Sequence, residues 1–142
     1  MSVSAHFLGL PPCALRDADA VIVPLPFERT VSYGVGTRNG PAAILEASTQ
    51  LEAFDEETDV DFAKGPRIHV LPPLRDDRRR SVEQYLELVR ARVAELRPRF
   101  VLGLGGEHLV TYGLVRGLAP DPRDLTIVHI DAHGDVADRL RV

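Results

Sequence analysis

Residues 18–27 read ADAVIVPLPF, a compact apolar run that two prolines bring to an end. A short, continuous apolar run is typical of a strand that is buried on both faces of a parallel sheet. Two later runs have the same character, RIHVL at 67–71 and RFVLGLGG at 99–106, and LTIVHI at 125–130 makes a fourth. The sequence therefore predicts four strands.

Helical patterns lie between these strands. Pro41 favours the start of a helix, and AAILEASTQLEAF follows it. Ser81 and Gln84 form a capping-box pattern, after which apolar residues recur at helical spacing. A third, shorter helix is predicted for LVTYGLVRGL at 109–118. Strands that alternate with helices predict an α/β fold, with a parallel sheet covered by helices on both faces.

Composition narrows the class of protein. The 142 residues suffice for one domain, and 44% hydrophobic with 27% charged residues is typical of a soluble globular protein. A formal net charge of −4 gives no reason to expect nucleic acid or an anionic membrane as a partner. Cys13 is the only cysteine, and no apolar run approaches the ~18 residues that span a bilayer. We therefore expect a cytoplasmic protein with no nucleic-acid partner and no membrane attachment.

Two polar clusters follow the third and fourth predicted strands, GGEH at 105–108 and DAHGD at 131–135. In open α/β sheets, ligands bind beyond the carboxyl ends of the strands. Side chains alternate along an extended chain, so Asp131, His133 and Asp135 can point the same way. Two carboxylates and an imidazole suit a divalent metal, and this set favours Mn²⁺ over a thiolate-type zinc site.

Other residues in and near these clusters give weaker evidence for a functional site. His129 shares the alternation of DAHGD but lies inside the predicted strand, which favours a core or supporting histidine over a ligand. Glu107 and His108 can equally cap the next helix. A nucleotide-binding loop is a weak alternative: Gly103 and Gly105 match the first two positions of G-x-G-x-x-G, but the third falls on His108 and no Walker lysine follows.

GGEH and DAHGD together resemble the first two metal motifs of the ureohydrolase family, the arginases, agmatinases and their relatives. The segment PFERTVSYGVGTRNGPAAILEAS and the LEAFDEET after it are similar to the agmatinase branch. The resemblance identifies residues 1–142 as the N-terminal part of a single ureohydrolase-type domain. It implies an arginase-like fold, three α/β/α layers around a mostly parallel sheet, here truncated to about four strands.

The resemblance also implies an activity and residue roles. The family hydrolyses guanidino C–N bonds with Mn²⁺, and agmatine, which gives putrescine and urea, is the substrate implied here. His108 and Asp135 would ligate one ion and His133 a second, while Asp131 would bridge the pair. Asp131, His133 and Asp135 are thus also the implied catalytic residues. Glu107 and His129 would support these ligands, and the full-length form would be a homo-oligomer.

Three departures from the family pattern affect these expectations. Leu109 stands where relatives often carry Ser or Thr, and VADRL after Asp135 counts against arginase itself. The family's third motif, Asp-x-Asp after a later strand, has no counterpart in residues 1–142. We therefore expect an incomplete metal site, exposed apolar sheet edges and a chain that is inactive alone.

Several alternatives stay open at this point. The chain can be a non-catalytic half-domain, or a regulatory subunit that pairs with a complete paralogue. Within the family, the substrate can be that of a guanidinobutyrase, a formimidoylglutamase or an arginase. A sugar- or phosphate-binding α/β module would make DAHGD a coincidence.

Overall fold

The protein is described here as a computed structural model, which covers residues 6–96, 99–121, 123 and 125–135. Its central element is β1 (Ala20–Leu25), which pairs in parallel with β4 (Ile68–Val70) on one side and β5 (Phe100–Gly105) on the other. This three-stranded sheet has the order β4-β1-β5. The predicted parallel sheet is confirmed.

Helices cover both faces of the sheet, because alternate side chains of β1 enter two separate cores. Val21, Val23 and Leu25 pack against α2 (Val82–Ala94) and α3 (Val110–Leu118). Ile22 points the other way and packs with Leu45 of α1 (Gly40–Ser48). The three-layer α/β/α arrangement is therefore confirmed. Within the described residues, no helix is long and apolar enough to cross a membrane.

Local sequence signals account for the helix starts. At α2, the Ser81 side chain accepts from the backbone N–H of Gln84, and the Ser81 backbone N–H donates to the Gln84 side chain, so the predicted capping box is confirmed. Pro41 lies in the first turn of α1, as predicted. The helix ends at Ser48, however, several residues before the end of the predicted run.

A small antiparallel hairpin follows α1, and the sequence reading missed it. Its strands are β2 (Phe54–Asp55) and β3 (Val60–Asp61). The Asp55 carboxylate accepts from the backbone N–H of Glu57 at 2.9 Å and from the hydroxyl of Thr58 at 2.8 Å, which tightens the connecting turn. Phe54, the last residue of the predicted helical run, thus pairs with Asp61 in a strand instead.

The fourth predicted strand, residues 125–130, is wrong: the segment has no strand structure. Its apolar side chains face solvent, and Ile130 is 94% exposed. A strand needs a neighbour to take its backbone hydrogen bonds, and among the described residues no strand pairs with this segment. The main sheet therefore has one strand fewer than expected. Phe100 and Leu102 of the edge strand β5 are also exposed, which confirms the expected apolar edge.

Candidate metal centre

The GGEH turn, residues 105–108, is fastened to the end of the central strand. The backbone N–H of Gly106 donates to the carbonyl of Leu25 at 2.9 Å, and that of Glu107 to the carbonyl of Phe27 at 3.0 Å. A Cβ at position 106 would lie 2.1 Å from the Phe27 carbonyl oxygen, so only glycine fits there. The turn that carries His108 therefore has a fixed position at the carboxyl end of β5.

Glu107 has a buried carboxylate, 9% exposed, in an otherwise polar turn. It accepts hydrogen bonds from the backbone N–H groups of Arg29 and Thr30 and from the Thr30 hydroxyl. Its oxygens therefore bond to the loop after β1 rather than to His108. No local signal in the sequence reveals this contact, because 77 positions separate Thr30 from Glu107.

Four potential ligands come together beside this turn. One donor atom from each of His108, His129, Asp131 and Asp135 lies within 4.8 Å of the others. His108 Nδ1 and Asp135 Oδ2 are 2.7 Å apart, and the rings of His108 and His129 stack with 5.2 Å between their centroids. The structure thus brings the GGEH and DAHGD motifs to one place, at the carboxyl end of β5.

His133, the remaining predicted ligand, lies beside this group but outside it. Its backbone N–H donates to Asp131 Oδ1 at 2.8 Å, and its ring Nδ1 is 3.5 Å from the same oxygen. The predicted alternation of side chains does not hold here, because residues 131–133 bend and Asp135 has a left-handed φ of 46°. His129 lies beside His108, and it is exposed rather than part of the core.

Neighbouring groups stabilise the ionised form of the Asp131 carboxyl. The hydrogen bond from the His133 backbone N–H lowers its pKa, partial desolvation opposes that shift, and positive charge on His129, His133 or His108 lowers the pKa further. The net result is a pKa below the ordinary value of 3.8. Asp131 is therefore an anionic oxygen donor at neutral pH.

The donor set fits a divalent ion of the Mn²⁺ class. Two imidazole nitrogens and two carboxylate oxygens form a mixed N/O set without thiolate. Atoms bound to one ion at about 2.1 Å lie at most about 4.2 Å apart. The observed spread of 4.8 Å needs only small inward movements of exposed side chains. His108, His129, Asp131 and Asp135 can therefore hold such an ion.

Comparisons with known proteins define the class to which this site belongs. A sequence model of the Arginase family matches residues 18–141, which is most of the chain. The chain therefore belongs to the arginase family, and the resemblance drawn from GGEH and DAHGD is confirmed. Family membership also classifies it with the ureohydrolases.

Two curated relatives show how similar the chain is to individual members of the family. The chain is 39% identical over 130 residues to the N(1)-aminopropylagmatine ureohydrolase of Synechocystis sp., a match that covers 87% of this chain and 42% of the relative. It is 34% identical over 123 residues to the agmatinase of Bacillus subtilis, with 85% and 42% covered. The chain thus spans less than half the length of these curated relatives.

Solved structures agree with this assignment. The agmatine ureohydrolase of Thermoplasma volcanium matches with a TM-score of 0.68 and 27% identity, over 75% of this chain and 36% of that one. A candidate agmatinase from Clostridium difficile matches with a TM-score of 0.81 over 90% and 46%. At 22% identity the second likeness shows the fold alone. The arginase-like fold predicted from the motifs is confirmed.

Proposed function

We propose that the chain supplies part of the active site of a Mn²⁺-dependent ureohydrolase that converts agmatine and water to putrescine and urea. One observation carries the proposal: in a chain of the arginase family, the ligand atoms of His108, Asp131 and Asp135 meet beyond the carboxyl end of β5. The printed names of the relatives, agmatinase and N(1)-aminopropylagmatine ureohydrolase, support an agmatine-type substrate.

Each residue has a role in this proposal. His108, Asp131 and Asp135 would hold one ion, and Asp131 would share a second with His133, which lies next to it. Bound ions of this kind lower the pKa of water, so that hydroxide is available near neutral pH. Asp131 remains anionic because its own pKa is lowered. The stacked ring of His129 restricts the orientation of His108, which is how supporting side chains tune a metal site.

The test is urea release from agmatine by the full-length protein. Asp131→Ala removes the central ligand, and we expect a loss of more than about 100-fold, since even supporting residues of metal sites cost 10- to 100-fold. Asp121→Ala is the matched control, because Asp121 is a carboxylate that pairs with Arg123 and is not one of the four grouped ligands. Full activity in Asp131→Ala would sink the proposal.

Assays of five candidate compounds identify the preferred substrate. We expect agmatine or its aminopropyl derivative to be hydrolysed faster than 4-guanidinobutyrate, formimidoylglutamate or arginine. The Bacillus subtilis and Synechocystis relatives are named for those first two compounds. Parallel assays of kcat/KM for the five compounds at one Mn²⁺ concentration give the order. A preference for arginine would move the protein to another branch of the family.

The geometry favours one variation on the metal site. Because His129 rather than His133 lies in the group of four, a single ion held by two histidines and two carboxylates is a second candidate. Metal content of His133→Ala, measured by atomic emission, separates the two. A fall from two ions to one per chain supports the binuclear site, and an unchanged single ion supports the mononuclear one.

Hydrolysis is expected to need chain beyond these 142 residues, because the chain covers 42% of the Synechocystis relative. On this account the 142-residue chain alone releases no urea, whereas the full-length protein does so as a homo-oligomer. A regulatory half-domain would instead require a complete paralogue for activity. A monodisperse monomer of the 142-residue chain that binds two ions tightly would contradict the half-domain account, and urea release by that chain alone would contradict the first.

A further inference from the structure

The loop after β1, residues 29–38, is held at both ends by buried carboxylates. At its start, Glu107 accepts from Arg29 and Thr30. At its far end, Glu28 accepts from the backbone N–H groups of Gly36 and Arg38 and from the Thr37 hydroxyl. Both carboxylates are more than nine-tenths buried, so these hydrogen bonds compensate the cost of removing each charge from water.

The two carboxylates differ in what they are attached to. Glu28 belongs to the same loop region that it holds, whereas Glu107 immediately precedes His108 in the turn at the end of β5. Each bond from Thr30 to Glu107 therefore also restrains the turn that presents the His108 imidazole.

Arg29, the neighbour of Thr30 in the chain, is itself bonded to the body of the protein. The Arg29 guanidinium donates to both oxygens of Asp76, and the two side chains are only 17% and 8% exposed. It also donates to the carbonyl oxygens of Arg80, at 2.6 Å, and Asp77, at 3.1 Å. Thr30 thus directly follows a residue that several side-chain hydrogen bonds hold in place.

The hydrogen bonds that the Glu107 carboxylate accepts come from residues 29 and 30. Among the residues that the structure describes, no basic side chain lies within ion-pair distance of its carboxylate. Oε2 accepts from the Thr30 backbone N–H at 3.0 Å and from the Thr30 hydroxyl. Loss of that hydroxyl leaves Oε2 of this buried side chain with one donor, the Thr30 backbone N–H, which favours a rearrangement of the turn.

We propose that Thr30 is a positioning residue of the metal centre: through its hydroxyl bond to Glu107, it keeps the His108 imidazole where the divalent ion binds. This rests on the proposed function, because it takes His108 as a metal ligand. Loss of the hydroxyl bond at Thr30 then weakens metal binding, whereas loss of a hydroxyl bond at the far end of the same loop does not.

The experiment compares Mn²⁺ affinity, measured by the EPR signal of the free ion, in variants of the full-length protein. Thr30→Val is nearly isosteric and removes the hydroxyl, and we expect binding about 10-fold weaker, within the 10- to 100-fold effects of supporting residues. Thr30→Ser keeps the hydroxyl and restores most of the affinity. Thr37→Val is the matched control, because it removes a hydroxyl bond to Glu28 at the other end of the loop and is expected to bind like wild type.

Circular dichroism shows which variants are folded at the assay temperature. If Thr30→Val is unfolded there, Glu107→Gln takes its place, with weaker Mn²⁺ binding as the expected result. Wild-type affinity in either folded variant overturns the inference, and so does an equal loss in Thr30→Val and Thr37→Val. Absence of Mn²⁺ binding in the wild type instead overturns the proposed function, and with it this inference.

Discussion

The two halves of the candidate metal centre are built in opposite ways. The turn at residues 105–108 is bonded to the end of the central strand and, through Glu107, to a fixed loop. The segment at residues 126–135, which carries the other ligands, is exposed at every position. Packing therefore determines where His108 lies, whereas Asp131 and Asp135 are placed mainly by short-range hydrogen bonds and by His108 itself.

The difference shows how a site can be only partly preorganised. Ligands on packed elements keep their geometry without an ion, while ligands on an exposed segment gain theirs when the ion binds. The segment at residues 125–130 has the sequence of a strand, but within the described part of the chain no strand pairs with it. The contrast between packed turn and exposed segment can be tested on each side.

The largest expected effect separates the packed body from the exposed segment. Leu45 is fully buried between α1 and the sheet, so Leu45→Ala should lower the free energy of unfolding by about 2–5 kcal/mol. Ile127 is 62% exposed, and Ile127→Ala should change it by less than about 0.5 kcal/mol. Urea denaturation followed by circular dichroism measures both. Equal losses would mean that the segment is packed after all.

A smaller effect tests the rigidity of the turn. Gly106→Ala places a Cβ 2.1 Å from the Phe27 carbonyl oxygen, and overpacking of this kind should cost about 1–3 kcal/mol of unfolding free energy. Gly40→Ala is the control, because its nearest contact would be an ordinary 3.6 Å and the position opens helix α1. That change should be neutral or slightly stabilising. A neutral Gly106→Ala would show that the turn yields easily.

Tyr85 gives the packed side a pH signature. Its hydroxyl donates to the Leu74 carbonyl at 2.8 Å and its ring stacks on Phe27, so Tyr85→Phe should cost about 1 kcal/mol at neutral pH. Burial, followed by the charge of Asp76, raises the pKa of Tyr85 above its ordinary value of 10.0. The stability due to this neutral phenol is present below pH 10 and is lost as pH rises above it.

Denaturation midpoints between pH 8 and pH 11 check this behaviour. Wild type should lose more stability than Tyr85→Phe over the upper part of that range, since the variant has no phenol to ionise in the unfolded chain. Parallel curves for the two proteins would show that Tyr85 is accessible to solvent.

The smallest effect lies on the exposed side, at the acid end of the pH range. The pKa of Asp131 is lowered by the His133 backbone N–H. Its contribution is present above the unfolded value of 3.8 and is lost as pH falls through the folded value. In metal-free protein, wild type should therefore lose slightly more stability than Asp131→Asn between pH 5 and pH 3. A large difference would indicate that the segment is buried.

Sequence reasoning succeeded where the signal is local. The apolar run of β1 and the capping box of Ser81 and Gln84 identified their elements because the residues concerned are neighbours in the chain. It failed where a distant partner decides. The run at residues 125–130 looks like a strand, yet strand formation requires another strand to pair with it.

The same distinction between local signals and distant contacts applies to the candidate site. Its two motifs were found from residue type and order, and the structure brings them together. His129 stacks on His108, 21 positions earlier in the chain, and Thr30 bonds to Glu107, 77 positions later. Neither follows from spacing along the chain.

The central claim is that the packed turn and the exposed segment hold one divalent ion jointly, and Mn²⁺ binding by Asp135→Ala tests it most directly. The Asp135 carboxylate lies 2.7 Å from the His108 ring nitrogen Nδ1, so its loss should weaken binding by about 10-fold or more in an EPR titration of the full-length protein. Asp121 is a carboxylate paired with Arg123, and the control variant Asp121→Ala should bind Mn²⁺ like wild type. Wild-type affinity in Asp135→Ala would contradict the account.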